Sequence, residues 1–212
     1  MPHLAMTDSP IRIAAPAGSP DRCPGLPPCP LDASRAEVLD SLAQGRNLVL
    51  SALPGAGKST IGVVLAKRLG YRFVDSDLLI QESENRLLHE ILEQDGIDGF
   101  NAIENRVNAS IEMDRAVIAT GGSAVYGAEA MDHLKSIGIV LYLRIPYEVL
   151  KERLGDLHER GVSMKEGQTL KDLYEERRPL YEKYADVVID CEGRTIREIV
   201  HEIADELRGE NE

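Results

Sequence analysis

The sequence predicts an α/β fold with a five-stranded parallel sheet, helices on both faces of that sheet, and an irregular N-terminal tail. Short apolar runs alternate with longer segments in which apolar residues recur every three or four positions. Short strands that alternate with amphipathic helices form parallel sheets covered on both faces. A glycine-rich loop between the first apolar run and the first amphipathic segment is typical of the same fold class. With 212 residues, of which 43% are hydrophobic, the chain is long enough for one domain.

The N-terminal segment differs in composition from the rest of the chain. Residues 1–33 are dense in proline and glycine and lack hydrophobic periodicity, so we expect an extended or disordered tail outside the core. Residues 34–212 then form a single domain. Residues 34–45 predict a short helix that starts the domain, because Ser34 suits the N-cap, Glu37 follows three residues later, and Gly45 suits the end.

The strands and the two clearest helices follow from apolar patterning. Strands are predicted at 47–52, 71–74, 116–120, 138–143 and 187–190. Helices are predicted at 170–184 and 195–207, where apolar residues fall on one face.

The charge balance limits the possible partners. The chain has 36 acidic and 24 basic residues, a formal net charge of −12. This balance argues against nucleic acid or an anionic membrane surface as the main partner, since both favour clustered cations. Three cysteines are too few for a disulfide framework, and no apolar run approaches the ~18 residues of a membrane span. We therefore expect a cytoplasmic protein, a monomer or weak dimer, whose acidic balance does not exclude a small anionic ligand.

The loop after the first strand has the features of a phosphate-binding loop. Glycines let the backbone N–H groups approach phosphate oxygens, and the helix that follows directs its positive end toward them. The motif is G-x-x-x-x-G-K-[ST], except that Ala52 replaces its first glycine, where a methyl group fits if φ is negative. An ordinary glycine-rich turn is the alternative, but the strand–loop–helix context favours ATP binding. The predicted nucleotide-binding residues are Pro54, Gly55, Ala56, Gly57, Lys58, Ser59 and Thr60.

Two acids follow the second predicted strand, at the sheet edge where open α/β sheets bind ligands. If the chain stays extended there, Asp75 and Asp77 face the same way. One would hold Mg²⁺ and the other would orient an attacking hydroxyl. The alternative is that Asp77 or Ser76 only caps a helix that begins at Leu78.

Four short motifs in this order and spacing resemble the shikimate kinase family: PGAGKST at 54–60, VDSD at 74–77, ATGGSAV at 119–125 and RRPLY at 177–181. The resemblance covers residue 47 to the C-terminus. It implies a P-loop kinase of the nucleoside-monophosphate-kinase-like fold that uses ATP and Mg²⁺ and phosphorylates a small-molecule hydroxyl. It also implies substrate-binding helices at about 78–113 and a lid at about 155–168.

The resemblance assigns roles to the phosphate and metal residues by position. Lys58 handles the transferred phosphoryl group, Ser59 and Asp75 hold Mg²⁺, and Asp77 holds the acceptor hydroxyl. Arg160 corresponds to the lid arginine, although a solvated surface loop is the alternative. The implied catalytic residues are thus Lys58, Asp77 and Arg160.

Other positions correspond to the parts of the family site that grip the two substrates. Gly121 and Gly122 present backbone to the acceptor, unless they form only a tight turn. Arg177 grips the acceptor carboxylate, for which a bidentate guanidinium is suited, and a surface salt bridge is its alternative. Arg153 stacks on adenine or is a solvated helix charge.

The chain departs from the family at two positions. The family's second carboxylate-binding arginine, in F-R-x-x-E, is Asn101 in the stretch FNAIE, while Glu104 remains. The third glycine of the Gly-Gly-Gly turn is Ser123. Both Asn101 and Glu104 are predicted to contact the acceptor.

The loss of that arginine leaves the acceptor open. An unpaired carboxylate in a desolvated pocket is costly, so the acceptor is hypothesised to be a hydroxy amino acid such as homoserine, with its amine at Glu104 or Asp98 and its carboxylate at Arg177. In the rival interpretation shikimate is the acceptor, and Arg106 or Arg115 replaces the lost cation. A non-catalytic nucleotide-binding regulator and a nucleoside-monophosphate kinase are further alternatives. Retention of the acidic pair and the arginines argues against the regulator, and the acidic 78–115 region argues against an acceptor phosphate.

Overall fold

The structure of the protein is a computed structural model that describes residues 11–13, 46–154, 164–165 and 167–208. The predicted helix at 34–45 and most of the predicted tail lie outside these residues. So does most of the predicted lid, including Arg160.

Five strands form a parallel sheet, as the apolar runs predict. Each strand of the central part is fully buried because its apolar residues are covered on both faces. The parallel strands are β2 (Asn47–Ser51), β3 (Arg72–Asp75), β4 (Ala116–Ala119), β5 (Gly138–Arg144) and β6 (Val187–Asp190). Together with β1 (Ile11–Ile13) they lie in the order β1-β6-β5-β2-β4-β3, and the pairs β3–β4, β4–β2, β2–β5 and β5–β6 are parallel.

A sixth strand comes from the N-terminal segment. Strand β1 (Ile11–Ile13) pairs antiparallel with β6, with Ile11 opposite Ile189. Three residues of the segment that we expected to be irregular therefore extend the sheet edge. The alternation of two isoleucines around Arg12 is too short a pattern to distinguish from loop by sequence alone.

Seven helices accompany the strands within the described part of the chain. They are α1 (Lys58–Leu69), α2 (Ser76–Glu84), α3 (Leu88–Ala109), α4 (Ala128–Ile137), α5 (Tyr147–Leu154), α6 (Leu170–Tyr184) and α7 (Ile196–Arg208). The segments predicted at 170–184 and 195–207 form α6 and α7. Helix α1 packs against α7, and α3 packs against α4. None of the described helices is long and apolar enough to cross a membrane.

Helices α2 and α3 have a small hydrophobic core of their own, separate from the main core. It contains Ile80, Ile91, Phe100 and Val107. Helix α3 is interrupted at Gly96, whose φ of 70° and ψ of −176° are accessible to glycine and strained for other residues. The break kinks α3 ahead of Glu104, which is a buried residue of its second half.

The sheet register brings three loops together at one edge. Leu50 on β2 pairs with Ala119 on β4, and Ala119 pairs with Asp75 on β3. The glycine-rich loop, the Asp75 corner and the turn after β4 therefore leave the sheet side by side. Carboxyl ends of neighbouring parallel strands are where open α/β sheets bind ligands.

Candidate active site

The glycine-rich loop has the geometry that the motif predicts. Gly55 and Gly57 adopt positive φ angles of 81° and 98°, and α1 begins directly afterwards at Lys58. A Cβ at Gly55 would stand 2.7 Å from Leu154 Cδ2, so the loop also needs glycine for its packing. Ala52 is fully buried and does not belong to the described non-glycine residues with positive φ, so its methyl group fits the strand exit.

The Lys58 ammonium folds back over this loop. Its Nζ donates to the Ala52 carbonyl at 2.8 Å and to the Leu53 carbonyl at 3.2 Å. Burial lowers the pKa of Lys58 to about 8, although the nearby carboxylate of Asp77 opposes this shift. The lysine is held at the mouth of the loop, where an anionic ligand would further favour its charged form.

The two acids are arranged differently from our expectation. Extended structure does not continue to Asp77: β3 ends at Asp75 and α2 begins at Ser76, so the expectation that both carboxylates face alike along an extended chain is wrong. Asp75 is itself the N-cap, and its Oδ1 accepts the Asp77 N–H at 3.1 Å. Its Oδ2 accepts from the Ser59 hydroxyl at 2.8 Å. Capping thus fixes Asp75 beside Ser59, and the Asp77 side chain lines the adjacent cleft.

A single cleft of about 930 Å³ joins the glycine-rich loop to the acceptor side. Its walls come from the loop and α1, from the α2–α3 region, and from the turn after β4. The predicted site residues that line it are Pro54, Gly55, Gly57, Lys58, Ser59, Thr60, Asp77, Glu104, Gly121, Gly122, Arg153 and Arg177. Arg153 Nη1 also approaches the Ala56 carbonyl at 3.5 Å.

Glu104 and Asp77 converge above the turn after β4. A methyl group built on Gly121 would stand 2.0 Å from Glu104 Oε1 and 2.9 Å from Asp77 Oδ1, so the two carboxyl groups face the same point. Burial, and the closeness of Asp75, raise the pKa of Asp77 above its ordinary value. Only glycine at 121 leaves room for this pair.

Glu104 is the most isolated polar group of the cleft. It is 1% exposed, and neither carboxyl oxygen accepts a hydrogen bond of ordinary length and angle within the described part of the chain, although the Ser123 hydroxyl lies close enough to lower its pKa. Burial, together with the charge of Asp77, raises its pKa to about 7, although the Ser123 hydroxyl and the Arg177 and Lys58 cations oppose the rise. An orphaned buried carboxyl that faces a cleft is available to a ligand.

Arg177 forms the far wall of the cleft and is almost completely buried. Its Nη1 would lie 3.3 Å from a Cβ built on Gly122, and its Nε donates to the Tyr126 hydroxyl at 3.2 Å. The Tyr181 hydroxyl donates to the Gly122 carbonyl at 2.5 Å and so ties α6 to the same turn. A buried guanidinium beside an open turn is well placed for a carboxylate.

Asn101 lies apart from the main cleft. It lines a second cavity of about 230 Å³ together with Asp98, Tyr126 and Arg177, and its Oδ1 is buried without a hydrogen-bond partner among the described residues. Arg177 lines both cavities and therefore forms the wall between them.

Sequence reasoning overlooked two residues of the site. The Ser76 hydroxyl accepts the Gly121 N–H at 3.1 Å and so links the acid corner to the turn after β4. Its position between two predicted functional acids was a usable signal. Tyr126, which contacts Arg177, gave no signal, because its partner is 51 residues away in the chain.

One edge of the sheet carries the phosphate loop, the capped acid corner and a pocket for a second substrate. This combination defines a P-loop kinase that phosphorylates a hydroxyl of a small molecule. The family model "Shikimate kinase" matches residues 54–208. The chain belongs to the shikimate kinase family.

Individual relatives support this assignment. A shikimate kinase of Persephonella marina is 35% identical over 164 residues, which cover 77% of this chain and 99% of that protein. A structure of shikimate kinase from Acinetobacter baumannii in complex with shikimate has a TM-score of 0.71 and 31% identity, and covers 82% of this chain and 98% of that one. The structure of shikimate kinase from Aquifex aeolicus has a TM-score of 0.65 and 34% identity, with 77% and 97% covered.

Proposed function

We propose that this chain transfers the γ-phosphoryl group of ATP to a hydroxyl of shikimate. The observation that carries the proposal is the continuous cleft in which Lys58, at the glycine-rich loop, faces Asp77 and Arg177 on the acceptor side. A cleft that joins a phosphate-binding loop to a buried arginine is suited to phosphoryl transfer from a nucleotide to a small carboxylic acid.

The ATP side is supported by the conformation of the loop. The left-handed glycines turn backbone N–H groups into a concave anion site, and α1 adds its positive N-terminal end. Lys58 would exchange its contacts with the loop carbonyls for contacts with phosphate oxygens. Arg153, at the rim of the cleft beside the Ala56 carbonyl, is suited to pack on the base.

Ser59 and Asp75 are the residues that would hold Mg²⁺. Their side-chain oxygens lie 2.8 Å apart, and both are oxygen donors of the kind that Mg²⁺ prefers. Mg²⁺ binds through few protein ligands and completes its shell with water and phosphate. When bound, the metal would neutralise charge on the phosphates. Because the cap bond from the Asp77 N–H already fixes Asp75, this donor pair is preorganised.

The acceptor side suits shikimate, a cyclic carboxylate with several ring hydroxyls. Arg177 would grip the carboxylate, and Asp77 would accept a hydrogen bond from the reacting hydroxyl. A raised pKa makes the Asp77 carboxylate a better proton acceptor as the hydroxyl oxygen attacks. The orphaned oxygens of Glu104 would accept hydrogen bonds from another ring hydroxyl, which shikimate can supply without an ammonium group.

Catalysis by these residues would consist of positioning and charge stabilisation. Asp77 orients the hydroxyl, Lys58 stabilises negative charge that develops on the transferred group, and Arg177 fixes the far end of the acceptor. Arg160 is proposed to add a further cation from the lid. Burial of Glu104 and Arg177 limits water on the acceptor side, which favours transfer over hydrolysis.

The amino-acid hypothesis gains no support from the relatives, which are shikimate kinases. The hypothesis rested on the cost of leaving Glu104 and Asp98 without a cation. With a pKa near 7 this carboxyl can carry a proton, and a neutral acid needs no ammonium partner. Homoserine therefore serves as a comparison acceptor in the test.

The test is a coupled assay of ADP release with a panel of acceptors: shikimate, homoserine, serine, threonine, gluconate and AMP. We expect saturable turnover with shikimate and none with AMP. Saturable turnover only with homoserine would overturn the acceptor assignment. ATP binding without turnover of any acceptor would favour the non-catalytic regulator.

A further inference from the structure

Arg177 is held by a tyrosine that the proposed reaction does not otherwise use. Its Nε donates to the Tyr126 hydroxyl at 3.2 Å, and its guanidinium lies 5.1 Å from the centre of the Tyr126 ring. Tyr126 ends the short 3₁₀ helix that follows the Gly121–Gly122 turn. The tyrosine thus joins the acceptor turn to the arginine on α6.

The direction of the Tyr126 hydroxyl is fixed by Glu176. The Tyr126 O–H donates to Glu176 Oε1 at 2.9 Å, which leaves the phenol oxygen free to accept from Arg177. Burial alone would raise the pKa of Glu176, but hydrogen bonds from Tyr126 and Lys165 outweigh it and lower the pKa. An ionised carboxylate can only accept hydrogen bonds, so the Tyr126 O–H continues to point toward Glu176.

Glu176 is in turn held from its other side. Gln168 Nε2 donates to Oε2 at 2.6 Å and Lys165 Nζ donates to Oε1 at 3.3 Å. The carboxylate therefore has three side-chain donors and little freedom to rotate away from Tyr126.

The consequence concerns which edge of the guanidinium faces the acceptor. A guanidinium can pair with a carboxylate through its two terminal nitrogens or through Nε and one terminal nitrogen. The bond to Tyr126 occupies Nε, while Nη1 faces the turn at Gly122. One of the two bidentate modes is thereby removed.

We propose that Tyr126, oriented by Glu176, is a positioning residue that presents the terminal nitrogens of Arg177 to the acceptor carboxylate. The inference rests on the proposed function, in which Arg177 grips that carboxylate. Tyr126 itself touches neither substrate in this account and acts through the arginine.

The test compares Tyr126→Phe, which keeps the ring beneath the guanidinium and removes the hydroxyl, with the unsubstituted chain. Shikimate and its methyl ester, which has no carboxylate, are both titrated by calorimetry and assayed for turnover. We expect the Kd and KM for shikimate to rise about tenfold, as for a lost hydrogen bond to a charged group, and those for the ester and for ATP to stay within about twofold.

Tyr174→Phe is the matched control, because it removes a tyrosine hydroxyl from α6, the helix that carries Arg177, but the partner of this hydroxyl is the Ile145 carbonyl. This control should change neither the ratio of the Kd values nor the ratio of the KM values for shikimate and its methyl ester. Glu176→Gln should change the shikimate-to-ester ratio in the same direction by a smaller factor, and it decides the question if Tyr126→Phe does not fold. An equal effect of Tyr126→Phe on both ligands, or none, would overturn the positioning role. Failure of the unsubstituted chain to turn over shikimate would instead count against the proposed function.

Discussion

Asp77 is the residue on which the proposed chemistry depends most. It lies in the first turn of α2, lines the cleft, and faces the same point as Glu104 above Gly121. Its neighbour Asp75 is engaged with Ser59 and with the helix cap. The proposed function therefore gives the two acids separate roles: Asp75 is engaged at the helix cap, and Asp77 would meet the acceptor hydroxyl.

Asp77→Asn keeps the size of the side chain and removes its basicity. We expect kcat with shikimate to fall about 10²- to 10⁴-fold, since a positioned general base contributes that range, while ATP binding is retained. Steady-state kinetics and calorimetry with ATP measure the two effects. Asp132→Asn, an exposed acid on α4, is the control. Near-normal kcat in Asp77→Asn would rule out this role.

Glu104 makes stability depend on pH. Its ordinary pKa is 4.5 and burial raises it to about 7 in the folded chain. The folded state binds this proton more tightly, so the carboxyl's contribution to the free energy of unfolding is complete below pH 4.5 and is lost as the pH rises to about 7.

Glu104→Gln should remove this dependence. Relative to the unsubstituted chain, we expect the free energy of unfolding of the variant to improve by about 2 kcal/mol between pH 5 and pH 8, because the buried charge is absent. Urea unfolding at both pH values measures this change. Glu93→Gln, an exposed change on the same helix, should show none. An equal pH dependence in Glu104→Gln would contradict the buried, orphaned state of the carboxyl.

Asn101 is the residue at which the chain departs from its family. Asn101→Arg would place a cation in the second cavity, beside Arg177, and we expect its longer side chain to add a donor for the acceptor carboxylate. We expect the KM for shikimate to fall by up to about tenfold, the value of one charge-assisted contact. Asn101→Leu, similar in size and uncharged, is the control and should not lower KM. An unchanged KM in Asn101→Arg would mean that this side of α3 does not reach the acceptor.

At the scale of elements, the strands and the glycine-rich loop could be predicted because their signals are local. Apolar runs gave β2 to β6 within about a residue or two, and the run of glycines before Lys58 gave the loop. The corner at Asp75 was predicted with the wrong geometry, since whether a strand ends at an acid depends on what that acid caps. The role of Tyr126 could not be predicted, since it arises from contacts between distant segments.

The break in α3 is the element-level feature that shapes the acceptor side. A Cβ at Gly96 would meet nothing within 4 Å, so any cost of substitution comes from the backbone. Gly96→Ala should lower the free energy of unfolding by about 1–3 kcal/mol and raise the KM for shikimate more than that for ATP, because the α2–α3 core must shift.

Urea unfolding and steady-state kinetics measure both effects of Gly96→Ala. The control is Gly193→Ala. Gly193 lies in the turn after β6, has a positive φ and has open space around it. The substitution should lower the free energy of unfolding without changing either KM. Equal stability of Gly96→Ala and the unsubstituted chain would show that the break is not needed.

At the scale of the whole molecule, the parallel sheet explains why the site is where it is. Adjacent β2, β4 and β3 end in register, so the phosphate loop, the acceptor turn and the acid corner meet although 70 residues separate Leu50 from Thr120. The net charge of −12 is opposed locally in the cleft, where Lys58, Arg153 and Arg177 outnumber the acids Asp77 and Glu104.

The most direct test of the central claim follows the phosphoryl group itself. The chain is incubated with ATP, Mg²⁺ and shikimate in heavy-oxygen water, and the products are identified by mass spectrometry. The account predicts shikimate phosphate without heavy oxygen, formed in step with ADP and lost in Asp77→Asn. Formation of ADP with only heavy-oxygen inorganic phosphate, and no phosphorylated shikimate, would contradict it.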